Sequence, residues 1–213
     1  MSSAPLLVCA PLSIEAMALG KSAHVRVVTT GMGPKRSKKS AAKLASEPGR
    51  AVVVAGFGGA LDPSLEPGDV VVASEVSCED FGAKRRSLRN GELEGHSPSN
   101  DENSRAIRDA EKLAEILRAE GLNVKVGAIA CRDRIVRGDE RRALYEKGAC
   151  AVDMESAWLA AAASDRPFFV VRTIVDGPNH EFTDVFGTLR GGTRGLKSLS
   201  RVGRALERFA STL

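Results

Sequence analysis

The chain has 213 residues, of which 43% are hydrophobic, and it carries a formal net charge of +4. This length allows one large domain with a sizeable core, and we predict a single domain over residues 1–213. No stretch reaches the roughly 18 consecutive apolar residues of a membrane-spanning helix, and the mild charge with few aromatic residues (4%) argues against a nucleic-acid-binding protein.

The N-terminal segment has neither a basic stretch nor a long apolar one, so no secretory signal is predicted. The four cysteines do not have metal-ligand spacing, and we interpret them as reduced core residues. They are Cys9, Cys78, Cys131 and Cys150. These features predict a cytoplasmic protein without a bound metal.

Strands and helices alternate along the predicted chain. Strands are expected at Pro5–Ala10, His24–Thr30, Ala51–Ala55, Val70–Val76, Asn123–Cys131 and Phe168–Val175, with a short one before Asp153. Helices are expected from Ile14 and at Lys35–Ser46, Ser104–Glu120, Asp139–Lys147, Ala157–Ala163 and Thr193–Ser211. This alternation predicts a three-layer α/β/α domain with a central mixed, mostly parallel twisted sheet.

An acid follows the first strand closely. Ser13 is a plausible N-cap for the first helix, which would put Glu15 in the first helical turn. An acid there complements the helix dipole, so a surface residue is one interpretation. A functional acid just past a strand end is the other.

Glycines follow the second strand. Gly31 and Gly33 permit positive φ angles and close approach of a ligand to the backbone. The lysines and arginine of the following helix, together with its N-terminus, offer an anion site, although a solvated basic face is the commoner arrangement. The third glycine of a dinucleotide fingerprint is missing, so no such cofactor is predicted.

The third strand opens into a glycine-rich run, Gly56–Leu61. Its exposed backbone N–H groups are suited to polar ligand atoms, with a simple tight turn as the alternative. The polar segment Glu79–Asn103 is predicted to be a long loop and a candidate lid. His180, in a later polar stretch, is interpreted as an ordinary loop residue.

Acidic residues gather near the ends of two consecutive strands. Asp153 and Glu155 lie where a strand turns into a helix, and Asp176 ends the next strand, four residues after Arg172. In open α/β sheets the ligand binds at the carboxyl ends of the strands. These residues are therefore the predicted centre of a functional site.

Four segments together resemble the purine nucleoside phosphorylase and uridine phosphorylase family, in the branch of methylthioadenosine/S-adenosylhomocysteine nucleosidases. They are Gly31-Met32-Gly33, Gly56–Pro63 with Pro67-Gly68-Asp69, Val152–Ser156 and Val171–Asp176. Their order and spacing fit from about Leu6 to Leu206. The resemblance implies an enzyme with a nucleoside phosphorylase-like fold that cleaves the N-glycosidic bond of a nucleoside, and a homodimer or larger homo-oligomer.

The resemblance also implies roles for single residues. Asp176 corresponds to the catalytic acid that protonates or hydrogen-bonds the leaving base, and Glu15 to the glutamate that activates water. Met154 and Glu155 correspond to the ribose-binding pair, and Arg172 to the arginine before the acid. The other residues assigned to substrate binding are Asp153, Gly31, Gly33, Phe57, Gly58, Gly59, Ile135 and Val136.

The chain departs from the family pattern near the base. Ile135 and Val136 are aliphatic where an aromatic residue often stacks on the base, Phe57 replaces a small polar residue, and Val175 replaces a serine. The pattern is similar to hopanoid-associated phosphorylase-like members, which act on an adenosyl lipid. A bulky apolar 5′ group presented at a membrane would suit the basic face of the last helix, although that face is equally consistent with a solvated surface.

Cleavage of an N-glycosidic bond passes through an oxocarbenium-like ribose, which a carboxylate near the sugar stabilises. The co-substrate is water or inorganic phosphate, and no other cofactor is predicted. Glu15 favours water, because a carboxylate repels phosphate, while Arg172 and the basic run after Gly33 leave phosphorolysis open. A non-catalytic nucleoside- or lipid-binding protein is the alternative of another class.

Overall fold

A computed structural model describes residues 4–78, 86–88, 100–177 and 189–213. The strands are β1 Leu6–Ala10, β2 Val25–Thr29, β3 Val52–Ala60, β4 Val70–Cys78, β5 Arg86–Leu88, β6 Val124–Cys131, β7 Ala149–Asp153 and β8 Phe168–Asp176. The helices are α1 Ser13–Leu19, α2 Pro34–Leu44, α3 Asn100–Ala119, α4 Asp139–Glu146, α5 Ser156–Leu159, which continues into a 3₁₀ turn at Ala160–Ala162, and α6 Leu189–Ala210.

The strands form one mixed sheet in the order β2-β1-β3-β7-β6-β4-β5, and β8 pairs with both β3 and β4. The pairs β1–β2, β1–β3, β3–β8, β4–β6 and β6–β7 are parallel, whereas β3–β7, β4–β5 and β4–β8 are antiparallel. The predicted mixed, mostly parallel sheet is confirmed. Because β8 bridges β3 and β4, the strands β3, β8, β4, β6 and β7 also close into a ring, which the sequence did not predict.

Strand β3 has three neighbours and carries the glycine-rich run. Its first half pairs with β1, nearly its whole length pairs with β8, and its end pairs with β7 through Gly59 and Val152. The prediction that the strand stops at Ala55 and opens into a glycine loop is wrong, because this backbone remains hydrogen-bonded to β8. The glycines therefore lie inside a strand, where neighbouring side chains can pack directly against the backbone.

Helices cover both faces of the sheet, as the three-layer prediction requires. Side chains of β1 alternate between the two faces, so Leu6 and Val8 join one core cluster and Leu7 and Cys9 the other. The first cluster includes residues of α3 and α6, and the second includes α2 and Trp158 of α5. Burial of each of these aliphatic side chains stabilises the folded state by about 1.5–3 kcal/mol. The four cysteines are buried in the protein, as predicted.

Several predicted boundaries change. Helix α1 begins at Ser13, with Leu12 at its N-cap position, and α6 begins at Leu189, so Ser13 and Thr193 are not N-caps. Helix α3 begins at Asn100, which shortens the predicted loop Glu79–Asn103. The rest of that candidate lid lies outside the described residues, apart from strand β5, and so does His180.

The basic face of α6 is partly engaged by the protein itself. Arg204 and Arg208 both contact the Glu120 carboxylate, at 3.2 and 3.0 Å, and Arg201 donates to the Gly121 carbonyl at 3.2 Å. These contacts attach α6 to the segment between α3 and β6, so the three arginines stabilise the packing of this helix. Within the described ranges, no helix is long and apolar enough to cross a membrane.

Candidate active site

Glu15 is buried beneath the glycine-rich strand. Its side chain in the first turn of α1 is 2% exposed, so the interpretation as a surface acid is wrong. Its carboxylate accepts the backbone N–H groups of Phe57 at 2.7 Å and Leu12 at 2.6 Å. Burial raises the pKa of Glu15, while the two N–H groups and Arg172 oppose that rise. A buried carboxyl with a raised pKa is suited to taking up a proton.

Arg172 lies at the centre of a group of carboxylates. This completely buried side chain donates from Nε to Asp153 Oδ2 at 2.7 Å and from Nη2 to Glu155 Oε2 at 3.4 Å. Its Nη1 donates to the Phe57 carbonyl at 3.3 Å. A buried guanidinium is stable only when it is paired and hydrogen-bonded in this way. We call Glu15, Asp153, Glu155 and Arg172 the Arg172 cluster.

Asp153 organises the turn from β7 into α5. Its Oδ1 accepts the Ser156 hydroxyl at 2.8 Å and the backbone N–H groups of Glu155 and Ser156, each at 3.3 Å. Its other oxygen is bound to Arg172. Both carboxylate oxygens therefore have partners within the protein. Asp153 was predicted to bind substrate, and these contacts give it a role in positioning Arg172 and Glu155.

Glu155 joins the cluster to the loop before α2. Its Oε1 accepts the backbone N–H of Gly33 at 3.0 Å. Gly33 and Gly31 have φ angles of 82° and 84°, a region that glycine adopts without strain. Burial raises the pKa of Glu155 to about 7, against the opposing effect of Arg172. Met154, its neighbour in the predicted ribose-binding pair, is half-buried.

The glycines of β3 admit charged side chains to the strand. A Cβ atom at Gly56 would lie 2.7 Å from Glu15 Oε1, and one at Gly58 would lie 3.0 Å from the Cβ of Arg172. Contacts that short force the neighbour to move. Gly58, predicted from sequence to offer its backbone to the base, thus also makes room for Arg172. The half-buried Phe57 supplies backbone contacts to Glu15 and Arg172.

Asp176, the predicted catalytic acid, ends β8 beside an arginine that sequence reasoning missed. Arg141 Nη2 of α4 donates to Asp176 Oδ2 at 2.5 Å. The other Arg141 nitrogens donate to the carbonyls of Val136 at 3.0 Å and Ala60 at 3.2 Å. We call this contact the Arg141–Asp176 pair. Arg141 lies three residues before the buried Leu144, and that helical spacing is the sequence signal that places it on the inner face of α4.

The two aliphatic residues predicted to lie at the base differ in their surroundings. Val136 is buried against Leu61, Leu144 and Val152, and its carbonyl binds Arg141. Ile135, in contrast, is exposed. The structure therefore connects Val136 to the Arg141–Asp176 pair through its backbone and leaves the Ile135 side chain at the surface of the chain.

Residues 14–205 match the family described as the phosphorylase superfamily. The chain belongs to this superfamily. The prediction of membership in a family of enzymes, made from the four sequence segments, is thereby confirmed.

Individual proteins are also similar to this chain in sequence or in structure. The 5′-methylthioadenosine/S-adenosylhomocysteine nucleosidase of Staphylococcus aureus (strain JH9) is 29% identical over 167 residues, which are 76% of this chain and 72% of the relative. The Campylobacter jejuni nucleosidase of the same name has a TM-score of 0.75 at 15% identity, covering 99% of this chain and 100% of that one. Futalosine hydrolase of Helicobacter pylori has a TM-score of 0.70 at 17% identity, covering 100% and 99%. At these identities the two solved structures establish the shared fold.

Proposed function

We propose that the protein hydrolyses the N-glycosidic bond of a purine nucleoside, a 5′-substituted adenosine, and releases the free base. Membership of the phosphorylase superfamily and similarity to nucleosidases support this reaction class. The single observation that carries the proposal is the burial of Glu15 beside Arg172, with its carboxylate held by two backbone N–H groups. The contact with Leu12 is the capping-box bond of α1, whereas the contact with Phe57 and the burial beside Arg172 go beyond what a helix cap requires.

Each carboxyl group has one step in the proposed reaction. Glu15 takes a proton from water, whose oxygen forms the new bond to C1′ of the ribose. Glu155 binds the ribose hydroxyls and stabilises the positive charge that develops on the sugar. Asp176 delivers a proton to the base as the bond from C1′ to nitrogen breaks, so the base leaves neutral. Gly56 and Gly59, beside Glu15 and Asp176, lie about 10 Å apart along β3, which suits a sugar end and a base end of one substrate.

The charges in the Arg172 cluster favour water over phosphate. Three carboxyl groups surround one guanidinium, and Arg172 already donates to Asp153, Glu155 and the Phe57 carbonyl. The backbone N–H of Gly33, at the start of α2, is used by Glu155. A phosphate dianion would meet excess negative charge here, which disfavours phosphorolysis.

Two features of the proposed enzyme remain predictions. The 5′ substituent, including the adenosyl lipid of the hopanoid-associated members, involves a candidate lid that lies largely outside the described residues. A homo-oligomer is the other, and it rests on the family resemblance.

Base release from 5′-substituted adenosines tests the proposed function. We expect the wild-type chain to release adenine and Asp176→Asn to lower turnover by on the order of 100-fold or more, because amide nitrogen does not supply the proton. Asp165→Asn, at an exposed aspartate, is the matched control and should leave turnover unchanged. Turnover of Asp176→Asn close to wild type would remove Asp176 from the role of acid.

A further inference from the structure

Arg141 is a buried cation that contacts two backbone carbonyls and one carboxylate. Its side chain is 4% exposed, and three of its nitrogens donate to Val136 O, Ala60 O and Asp176 Oδ2. The two carbonyls hold the guanidinium in place, and the carboxylate is the group with the opposite charge. Such a charge-assisted contact is stronger than a neutral hydrogen bond. Arg141 is thus built into the fold with one guanidinium nitrogen directed at Asp176.

The backbone around Asp176 is shaped to allow this contact. The pairing of β8 with β3 shifts register, so that Ile174 faces Gly58 and Asp176 faces Gly59, with Val175 as the extra residue. A bulge of this kind re-aims the side chain that follows it. A Cβ at Gly59 would lie 2.7 Å from Asp176 Oδ1 and 3.0 Å from Arg141 Nη2. The bulge and the glycine together bring the carboxylate to the arginine.

Two other charged groups near this end of the sheet, Arg172 and Glu15, have their contacts elsewhere. Arg172 of β8 contacts Asp153 and Glu155, which belong to β7 and the turn after it. Glu15 of α1 is bound to the backbone of Leu12 and Phe57. Arg141 is a cation in direct contact with the Asp176 carboxylate.

We propose that Arg141 is a positioning residue that sets both the orientation and the protonation state of Asp176 in the cleavage reaction. This inference rests on the proposed function, in which Asp176 gives a proton to the base. An adjacent guanidinium stabilises the ionised carboxylate and so opposes protonation. Arg141 thereby limits the pH range over which Asp176 holds the proton that the leaving base needs.

The sign of the effect follows from the charge. The reaction needs protonated Asp176, so kcat/KM falls as the pH rises and this residue loses its proton. Replacing Arg141 by a neutral residue removes the stabilisation of the carboxylate, and the proton then persists to higher pH. The alkaline fall in kcat/KM should move upward by about one pH unit or more. Loss of orientation should lower the maximum of the profile at the same time.

The experiment measures kcat/KM for adenine release between pH 5 and 10 in wild type and four variants. Arg141→Gln and Arg141→Met are neutral, and glutamine retains a donor for the Val136 carbonyl in case methionine does not fold. Arg141→Lys retains the charge and should restore the alkaline limb to within about half a unit of wild type, with a lower maximum. Arg142→Met, at the exposed neighbouring arginine, should match wild type throughout.

The outcomes separate this inference from the proposed function. The inference on Arg141 is supported if the alkaline fall in kcat/KM moves to higher pH in the folded neutral variants and returns in Arg141→Lys. Activity reduced by the same factor at every pH overturns it and leaves Arg141 with a structural role only. Asp176→Asn, measured alongside, shows which idea has failed. If this variant is inactive and the limb does not move, the Arg141 inference alone is wrong. If it retains wild-type activity, the acid role of Asp176 is wrong as well.

Discussion

The Arg172 cluster and the Arg141–Asp176 pair lie beside the same strand, β3, but differ in their ratio of acidic to basic groups. In the cluster, three buried carboxyl groups share one guanidinium, and burial raises the pKa of both Glu15 and Glu155. In the pair, one carboxylate meets one guanidinium, and Asp176 keeps 17% of its side chain exposed. Excess negative charge suits a proton acceptor and a cationic sugar. A balanced pair at a more open position restrains a proton donor instead.

The glycines of β3 make both arrangements possible. Gly56 and Gly58 border the cluster, and Gly59 borders the pair. Each lacks the Cβ that would collide with a charged side chain. Both regions border glycines of the same strand. The difference between them therefore comes from the residues that the neighbouring elements supply.

The largest expected effect is on the cluster. Glu15→Gln preserves the shape of the side chain but cannot take a proton from water, so we expect kcat to fall on the order of 1000-fold. The change is measured as the rate of adenine release at saturating substrate. Glu146→Gln, at an exposed glutamate of α4, serves as the control and should keep wild-type kcat. A Glu15→Gln variant within a few-fold of wild type would show that water is activated by another group.

A smaller effect is expected when the pair is disturbed through the backbone. Gly59→Ala places a Cβ within 2.7 Å of Asp176 Oδ1 and should displace the carboxylate. A misplacement of about 1 Å can cost on the order of 100-fold in rate. Gly192→Ala, at a helical glycine with open space around its Cβ, is the matched control and should retain activity. Equal activities of the two variants would mean that the position of Asp176 is not critical.

The fold could be predicted from sequence further than the site. Apolar segments such as Leu6–Ala10 and Phe168–Val171 are sufficient to predict a layered α/β domain, because short and continuously apolar runs are typical of strands that are covered on both faces. Closure of the sheet by β8 escaped prediction, because pairing between β8 and both β3 and β4 depends on sheet geometry and has no local sequence signal.

The candidate site was predictable where its residues stand at strand ends. Asp153, Glu155 and Asp176 follow apolar strands directly, so their meeting could be expected. Arg141 lies in a short charged helix, and its buried guanidinium is held by the nearby Val136 carbonyl and by the Ala60 carbonyl, which is distant in sequence. The glycines were interpreted as a loop because their composition suggests a turn, whereas strand pairing with β8 overrides that preference.

The smallest effect concerns stability as a function of pH. The pKa of Glu155 is raised to about 7 from an ordinary value of 4.5, so the folded protein binds more protons between these values than the unfolded chain. The stabilising contribution is complete below about pH 4.5 and is lost as the pH rises through 7. The unfolding free energy, measured with urea, should therefore fall between pH 5 and pH 8 in the wild type. In Glu155→Gln this fall should be smaller by on the order of 2 kcal/mol.

Glu155→Gln also removes a partner of Arg172 at every pH, which changes the unfolding free energy by a constant amount. The prediction is therefore tested by how the unfolding free energy changes with pH. Glu146→Gln should retain the wild-type dependence on pH. Parallel pH dependences of wild type and Glu155→Gln would contradict the assigned protonation of the cluster.

Product analysis in water enriched with oxygen-18 and containing phosphate tests the central claim most directly. We expect adenine and a free 5′-substituted ribose that carries one labelled oxygen on C1, formed at the same rate with and without phosphate. An unlabelled ribose 1-phosphate that forms only when phosphate is present would contradict the account, because the Arg172 cluster would then admit an anion that its charges are expected to repel.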